Sequence, residues 1–139
     1  MEATQKSDIE RLVAGSQLIV NRSLYRHHGI YAGNGQVIHY AGWFRSRCGL
    51  VEQVSLIDFA GRDAIRVGRT PRDPKRGDAV VSRARSRLGE RSYHPLWNNC
   101  KHFCSWCLQG ELHSSKRLHD VVVFIPPGRP PKDLHACKT

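Results

Sequence analysis

No stretch of this 139-residue chain approaches the roughly 20 consecutive apolar residues of a membrane-spanning helix; the longest apolar-rich run, Val121 to Ile125, stops at Pro126 and Pro127. Met1 to Lys6 carries neither a basic leader nor an apolar core, which predicts no secretory signal. An even cysteine complement is also missing. The five cysteines are Cys48, Cys100, Cys104, Cys107 and Cys137, three of them within eight residues, and there is no second CxxC pair. Free thiols in a reducing compartment are therefore expected rather than a disulfide framework. The chain has no aromatic-basic RNA motif and no recognition-helix signature, so no specific nucleic-acid partner is expected. These absences predict a soluble, cytoplasmic protein whose membrane contact, if any, is peripheral.

What is present is ordinary in amount and uneven in sign. The length suits one domain with its own core, and 40% apolar with 24% charged residues lies in the globular range. Twenty-two basic against 12 acidic residues give a formal charge of +10, which favours encounter with anionic surfaces, whether nucleic acid, acidic protein or phospholipid headgroups, and charge alone does not choose among them.

The first half reads as short antiparallel strands. Leu18 to Val20 forms an apolar run between turn-like residues, and Val51 to Val54 and Ile65 to Val67 read as further strands. Asn34 and Gly35 stand between His28–Tyr31 and Gln36–Tyr40, the strongest short-range hairpin signal. That hairpin predicts His27 and His39 side by side. Ser55 to Phe59 suits a short helical turn, and the Arg- and Gly-rich stretch after Ala41 an exposed loop.

The second half changes to helical period. Asp73 and Pro74 make a cap and first-turn pair, Ala79, Val80, Ala84 and Leu88 mark an apolar stripe, and Gly89 is the expected C-cap. Gly77 weakens the first turn and moves the expected start toward Asp78. Arg83, Arg85 and Arg87 read as a solvated face. A second helix is predicted over Asn99–Gln109, its buried stripe being Cys100, Phe103, Cys104, Cys107 and Leu108. A third is expected to begin after Ser114, with Val121 to Ile125 as a strand or tail segment. Residues 1–13 read as an N-terminal extension, 14–125 as the domain, and the proline-rich basic stretch 126–139 as a mobile tail.

Cys100 opens the second helix, with Asn98 or Asn99 as its cap. A helix N-terminus lowers a thiol pKa and supplies amides for a tetrahedral oxyanion. The hairpin places one imidazole against such a thiol and another behind it. Cys104 and Cys107 lie one and two turns further on and read as small core residues. One helix spaces Cys100, Cys104 and Cys107 poorly for tetrahedral ligation, so no metal is expected. His102 falls off the Cys100 face.

His27 to Gly35, then Val37 to Tyr40, and later Asn99 to Phe103, taken in that order, resemble the lecithin:retinol acyltransferase family over roughly residues 14–110. The resemblance implies an α+β fold of circularly permuted papain-like (NlpC-like) type, a small antiparallel sheet packed against helices. It implies Cys100 as nucleophile, His27 as general base, since it stands four residues before the motif tyrosine Tyr31, and His39 as the imidazole that orients it. On the residues themselves, Asn98 and Asn99 would support the cap and the oxyanion, and Trp43 and Phe44, in the loop after His39, would either contact lipid substrate or pack in the fold. The implied activity is a cofactor-independent acyltransferase or phospholipase A working on acyl esters of glycerophospholipids through a thioester. A thiol peptidase or amidase, and a non-catalytic binding or regulatory module that retains the fold, are the alternatives. Lys101 departs from the family's common glutamate.

Overall fold

Alternation of apolar residues along the first half becomes a single antiparallel sheet, because each strand has one set of side chains for each face. The computed structural model describes residues 9–21, 25–41, 49–61, 63–94 and 99–109, together with strand residues 122–123. The strands are β1 (Gln17–Asn21), β2 (Arg26–Gly33), β3 (Gln36–Tyr40), β4 (Val51–Ser55), β5 (Ile65–Val67) and β6 (Val122–Val123). Their order is β4-β3-β2-β1-β5-β6, and every pairing is antiparallel. Three helices complete the described architecture: α1 (Leu56–Ala60), α2 (Pro74–Ser86) and α3 (Cys100–Cys107).

The β2–β3 hairpin forms as the sequence predicts. Asn34 and Gly35 have φ of 52° and 72°, the left-handed pair that a two-residue turn needs to follow strand twist. The Tyr31 hydroxyl accepts from the Gly35 amide at 2.9 Å, and Leu56 N donates to Gly35 O at 2.9 Å, so the turn also anchors the start of α1. Ser55 caps α1 by accepting from Asp58 N at 3.1 Å.

Each face of the sheet carries a core. Ile30, Ile38, Tyr40 and Val51 pack against Val80, Val81 and Ala84 of α2 and against Cys100, Phe103, Cys104 and Cys107 of α3. On the other face Leu18, Val20, Tyr31, Val37, Val54 and Ile65 are covered by Leu56, Phe59 and Ala60 of α1, with Ile9 and Leu12 packed alongside. The expected α3 stripe, Leu108 included, is buried throughout.

Helix α2 departs from expectation in three ways. It starts at Pro74 rather than near Asp78, capped by Asp73 accepting from Arg76 N at 2.8 Å. Gly77 is there because the first turn lies directly on the chain entering β1: a Cβ on Gly77 would fall on the Ala14 carbonyl oxygen. The inward face is Gly77, Val80, Val81 and Ala84, while Ala79 and Leu88 are exposed. Arg87, not Gly89, is the C-cap. Gly89 lies in the following turn and donates to Val51 O at 2.8 Å.

The arginines do not form one solvated face either. Arg83 donates from Nε to Cys107 O at 2.7 Å and from its guanidinium to Gln109 O at 3.2 Å, satisfying carbonyls left open at the end of α3. Arg87 lies over the rings of Tyr40, Phe103 and Trp106 at 5.8, 5.2 and 4.8 Å. It also grips Glu90 with two hydrogen bonds, of 3.0 and 2.5 Å. Only Arg85 is exposed, reaching Gln53 at 3.4 Å.

Of the segment Val121–Ile125, Val122 and Val123 form β6. Cys48, Cys137, the helix expected after Ser114 and the tail 126–139 fall outside the described residues. No helix among the described residues is long and apolar enough to cross a membrane.

Candidate active site

The two histidines of the hairpin meet. His27 Nε2 and His39 Nδ1 are 2.5 Å apart, their rings crossing at 90° with centroids 4.7 Å apart. Register explains this: Gly29 pairs with His39 and Val20 with His27, so strand alternation directs both imidazoles to the face covered by α1. Phe59 backs them both, at ring distances of 5.3 Å from His27 and 5.7 Å from His39. The close approach depends on Gly29, where a Cβ would stand 2.7 Å from both Phe59 Cε1 and Val37 Cγ1. Tyr25 meets the His27 ring edge-on at 6.4 Å and is partly exposed.

Cys100 reaches the same strand from α3. Its Sγ donates to the Arg26 carbonyl at 3.9 Å, and the His28 amide is directed at the sulfur. These backbone groups belong to the residues on either side of His27. Pairing of β2 with β3 runs from Gly29 to Gly33, so this stretch of β2 is open to the helix terminus.

Asn99 is the N-cap. Its Oδ1 accepts from Lys101 N at 3.0 Å and His102 N at 3.2 Å, while the exposed His102 ring accepts from Asn99 N at 3.5 Å. The capping box thus engages two of the amides an oxyanion would otherwise find at a helix start, and the amide of Cys100 itself is directed at its own sulfur. Asn98, Trp43 and Phe44 lie outside the described residues.

The expected lowering of the thiol pKa does not prevail. Burial pushes the Cys100 thiol up, and the amides of His28, Lys101 and Cys100 oppose this only in part. Deprotonation puts a charge into a desolvated site, so the thiol form dominates at neutral pH. Alkylation of Cys100 by iodoacetamide, followed by mass spectrometry, is expected to keep rising past about pH 8.5, the ordinary thiol value; a plateau near neutrality would be the contrary result. Cys104 and Cys107 are fully buried and their thiols are also pushed up by desolvation, Cys107 to about 12, consistent with core roles.

His28 takes no part in the histidine pair. Alternation turns it to the opposite face, where Gln17 donates to its Nδ1 at 3.1 Å. Burial, with Lys101 and Arg26 adding positive potential, pushes its pKa down to about 4, so it is neutral.

One residue escapes the sequence reading. Glu52 of β4 stands opposite His39 in the ladder, and its Oε1 lies 2.9 Å from His39 Nε2. The signal available was an acidic residue inside the strand-like Val51–Val54. The register that aims it at His39 follows from pairing across the segment between β3 and β4, which composition does not specify.

The chain matches the lecithin retinol acyltransferase family model over residues 10–113. It is 28% identical over 148 residues to "Lecithin retinol acyltransferase" of Mus musculus, covering 85% of this chain and 64% of that protein, and likewise to its counterpart in Rattus norvegicus. The Bos taurus protein of the same name is 29% identical over 149 residues, with 65% of it covered. The chain therefore spans slightly less than two thirds of the length of these relatives.

Proposed function

The chain belongs to the lecithin retinol acyltransferase family, and from that premise we propose that it is a thiol acyltransferase or phospholipase A acting on acyl esters of glycerophospholipids. The observation that carries the reading is that the His27–His39 pair and a helix-borne cysteine converge on one end of β2, the Cys100 sulfur being seated against the Arg26 carbonyl and the His28 amide on either side of His27. Cys100 attacks the acyl carbonyl carbon while His27 takes the thiol proton. The tetrahedral oxyanion is met by backbone amides around the sulfur. Collapse breaks the ester C–O bond, and protonated His27 gives its proton to the departing lysophospholipid oxygen. Water, an alcohol or an amine then attacks the thioester, with His27 as base, and frees Cys100. Because Nε2 of His27 faces His39, proton exchange with the thiol runs through Nδ1.

Residues 14–125 are the catalytic domain in this reading, in a circularly permuted papain-like arrangement. The supporting feature is chain order: the histidine strands precede the cysteine helix, the reverse of papain-type enzymes. The positive charge suits an anionic membrane surface, where each well-placed Lys or Arg contributes about 1 kcal/mol.

Intact-mass spectrometry after incubation with phosphatidylcholine is the decisive experiment. An acyl adduct on wild-type protein that is absent from Cys100→Ala is the expected result. An adduct formed from peptide esters and never from phosphatidylcholine would move the assignment to a thiol peptidase; none from either would leave a binding module.

A further inference from the structure

We infer that Glu52 is a positioning residue for the His27–His39 pair, fixing the direction of the hydrogen bonds that run from its carboxylate through His39 to His27. This inference rests on the proposed roles of Cys100 and His27.

The argument starts from what each group can donate. An ionised carboxylate only accepts, so the 2.9 Å contact between Glu52 Oε1 and His39 Nε2 requires the proton on His39 Nε2. A neutral His39 then has its lone pair on Nδ1. Across the 2.5 Å contact His27 must donate, which places the His27 proton on Nε2. The lone pair of His27 is thereby confined to Nδ1, the nitrogen through which it takes the thiol proton. With no carboxylate at the far end, nothing in this chain of bonds distinguishes the sequence just described from its reverse. In the reverse, His39 Nδ1 donates to His27 Nε2 and the proton of His27 sits on Nδ1, where it blocks the base. The two arrangements differ only in proton positions, so the same heavy-atom geometry accommodates both.

Burial gives the effect its weight. His39 is fully buried, while the Glu52 side chain retains 22% exposure at the sheet's edge strand. The carboxylate keeps contact with solvent and still faces a fully buried imidazole. When His27 takes the thiol proton, the positive charge that forms lies one imidazole away from this carboxylate, which favours the charged pair. Placement is rigid because Glu52 and His39 are directly opposed residues of the β3–β4 ladder.

The test compares Glu52→Gln and Glu52→Ala with wild type, using dihexanoyl phosphatidylcholine as the probe. Glu52→Ala is expected to lower kcat about 100-fold with KM nearly unchanged, and Glu52→Gln less, since an amide oxygen still accepts from Nε2–H. The acid limb of the pH profile is expected to move to lower pH in both, because removing the negative charge makes the imidazole pair easier to deprotonate. A purely structural role would not move that limb. Nitrogen-15 NMR of the histidines in wild-type protein, which needs no variant to fold, is expected to show the Nε2–H tautomer for His39. An Nδ1–H tautomer, or variants with unchanged kcat and an unmoved limb while Cys100→Ala is inactive, would overturn the Glu52 role alone. An active Cys100→Ala protein would instead overturn the reading beneath it.

Discussion

Cys100→Ala is expected to lower phospholipid acyl transfer by about 10⁴-fold or more while leaving the thermal midpoint within a few degrees of wild type. The size follows from what the substitution removes. The proposed nucleophile has no substitute, because Cys104 and Cys107 are sealed in the core between α3 and the sheet and their thiols are held protonated. The stability cost is small because the change removes a single sulfur atom from the first turn of α3, where Sγ meets the Arg26 carbonyl, and alanine keeps the Cβ in the core. Cys104→Ala should give the opposite pair of results, a measurable loss of stability with turnover largely kept. Steady-state kinetics and thermal melts on the two variants check both halves, and substantial turnover by Cys100→Ala is the outcome that sinks the assignment.

Phe59→Ala is expected to cost about 3–5 kcal/mol of folding stability, the usual range for emptying a buried aromatic site. Phe59 is 1% exposed and packs within the core on the α1 face of the sheet. It is also the wall against which both imidazoles rest. Residual activity at a temperature where the variant is folded should therefore fall as well, through kcat more than KM, as the histidines gain freedom to leave their mutual hydrogen bond. Urea denaturation supplies the stability figure. A loss below about 1 kcal/mol would show that the site collapses around the gap instead of holding it open.

The parts of this molecule that were legible in the sequence are those specified locally. Asn34 and Gly35 demand their turn whatever surrounds them, and that turn brings His27 to His39. Asn99 followed by a stripe at helical spacing demands a capped helix that begins at Cys100. What stayed hidden depends on partners far along the chain. Gly77 reads as a helix breaker until Ala14 is seen against it. Arg83 and Arg87 read as solvated until α3 offers carbonyls and rings to them. Glu52 acquires meaning only from the β3–β4 register. The thiol pKa departs from expectation for a related reason: the cap that raises acidity is visible in sequence, and the burial that outweighs it is not.

The β2–β3 hairpin carries one more consequence, for the order in which the site comes together. The histidines are 12 residues apart, whereas Cys100 docks on Arg26 from 74 residues away. Closing the longer loop costs about 1.5 kcal/mol more chain entropy than closing the shorter. Local closures win early in folding, so the imidazole pair is expected to assemble first and the sulfur to arrive when α3 packs. On the proposed mechanism, a half-folded chain would thus hold its imidazole pair before the thiol arrives, and reactivity would be conferred only when the long-range contact of Cys100 forms.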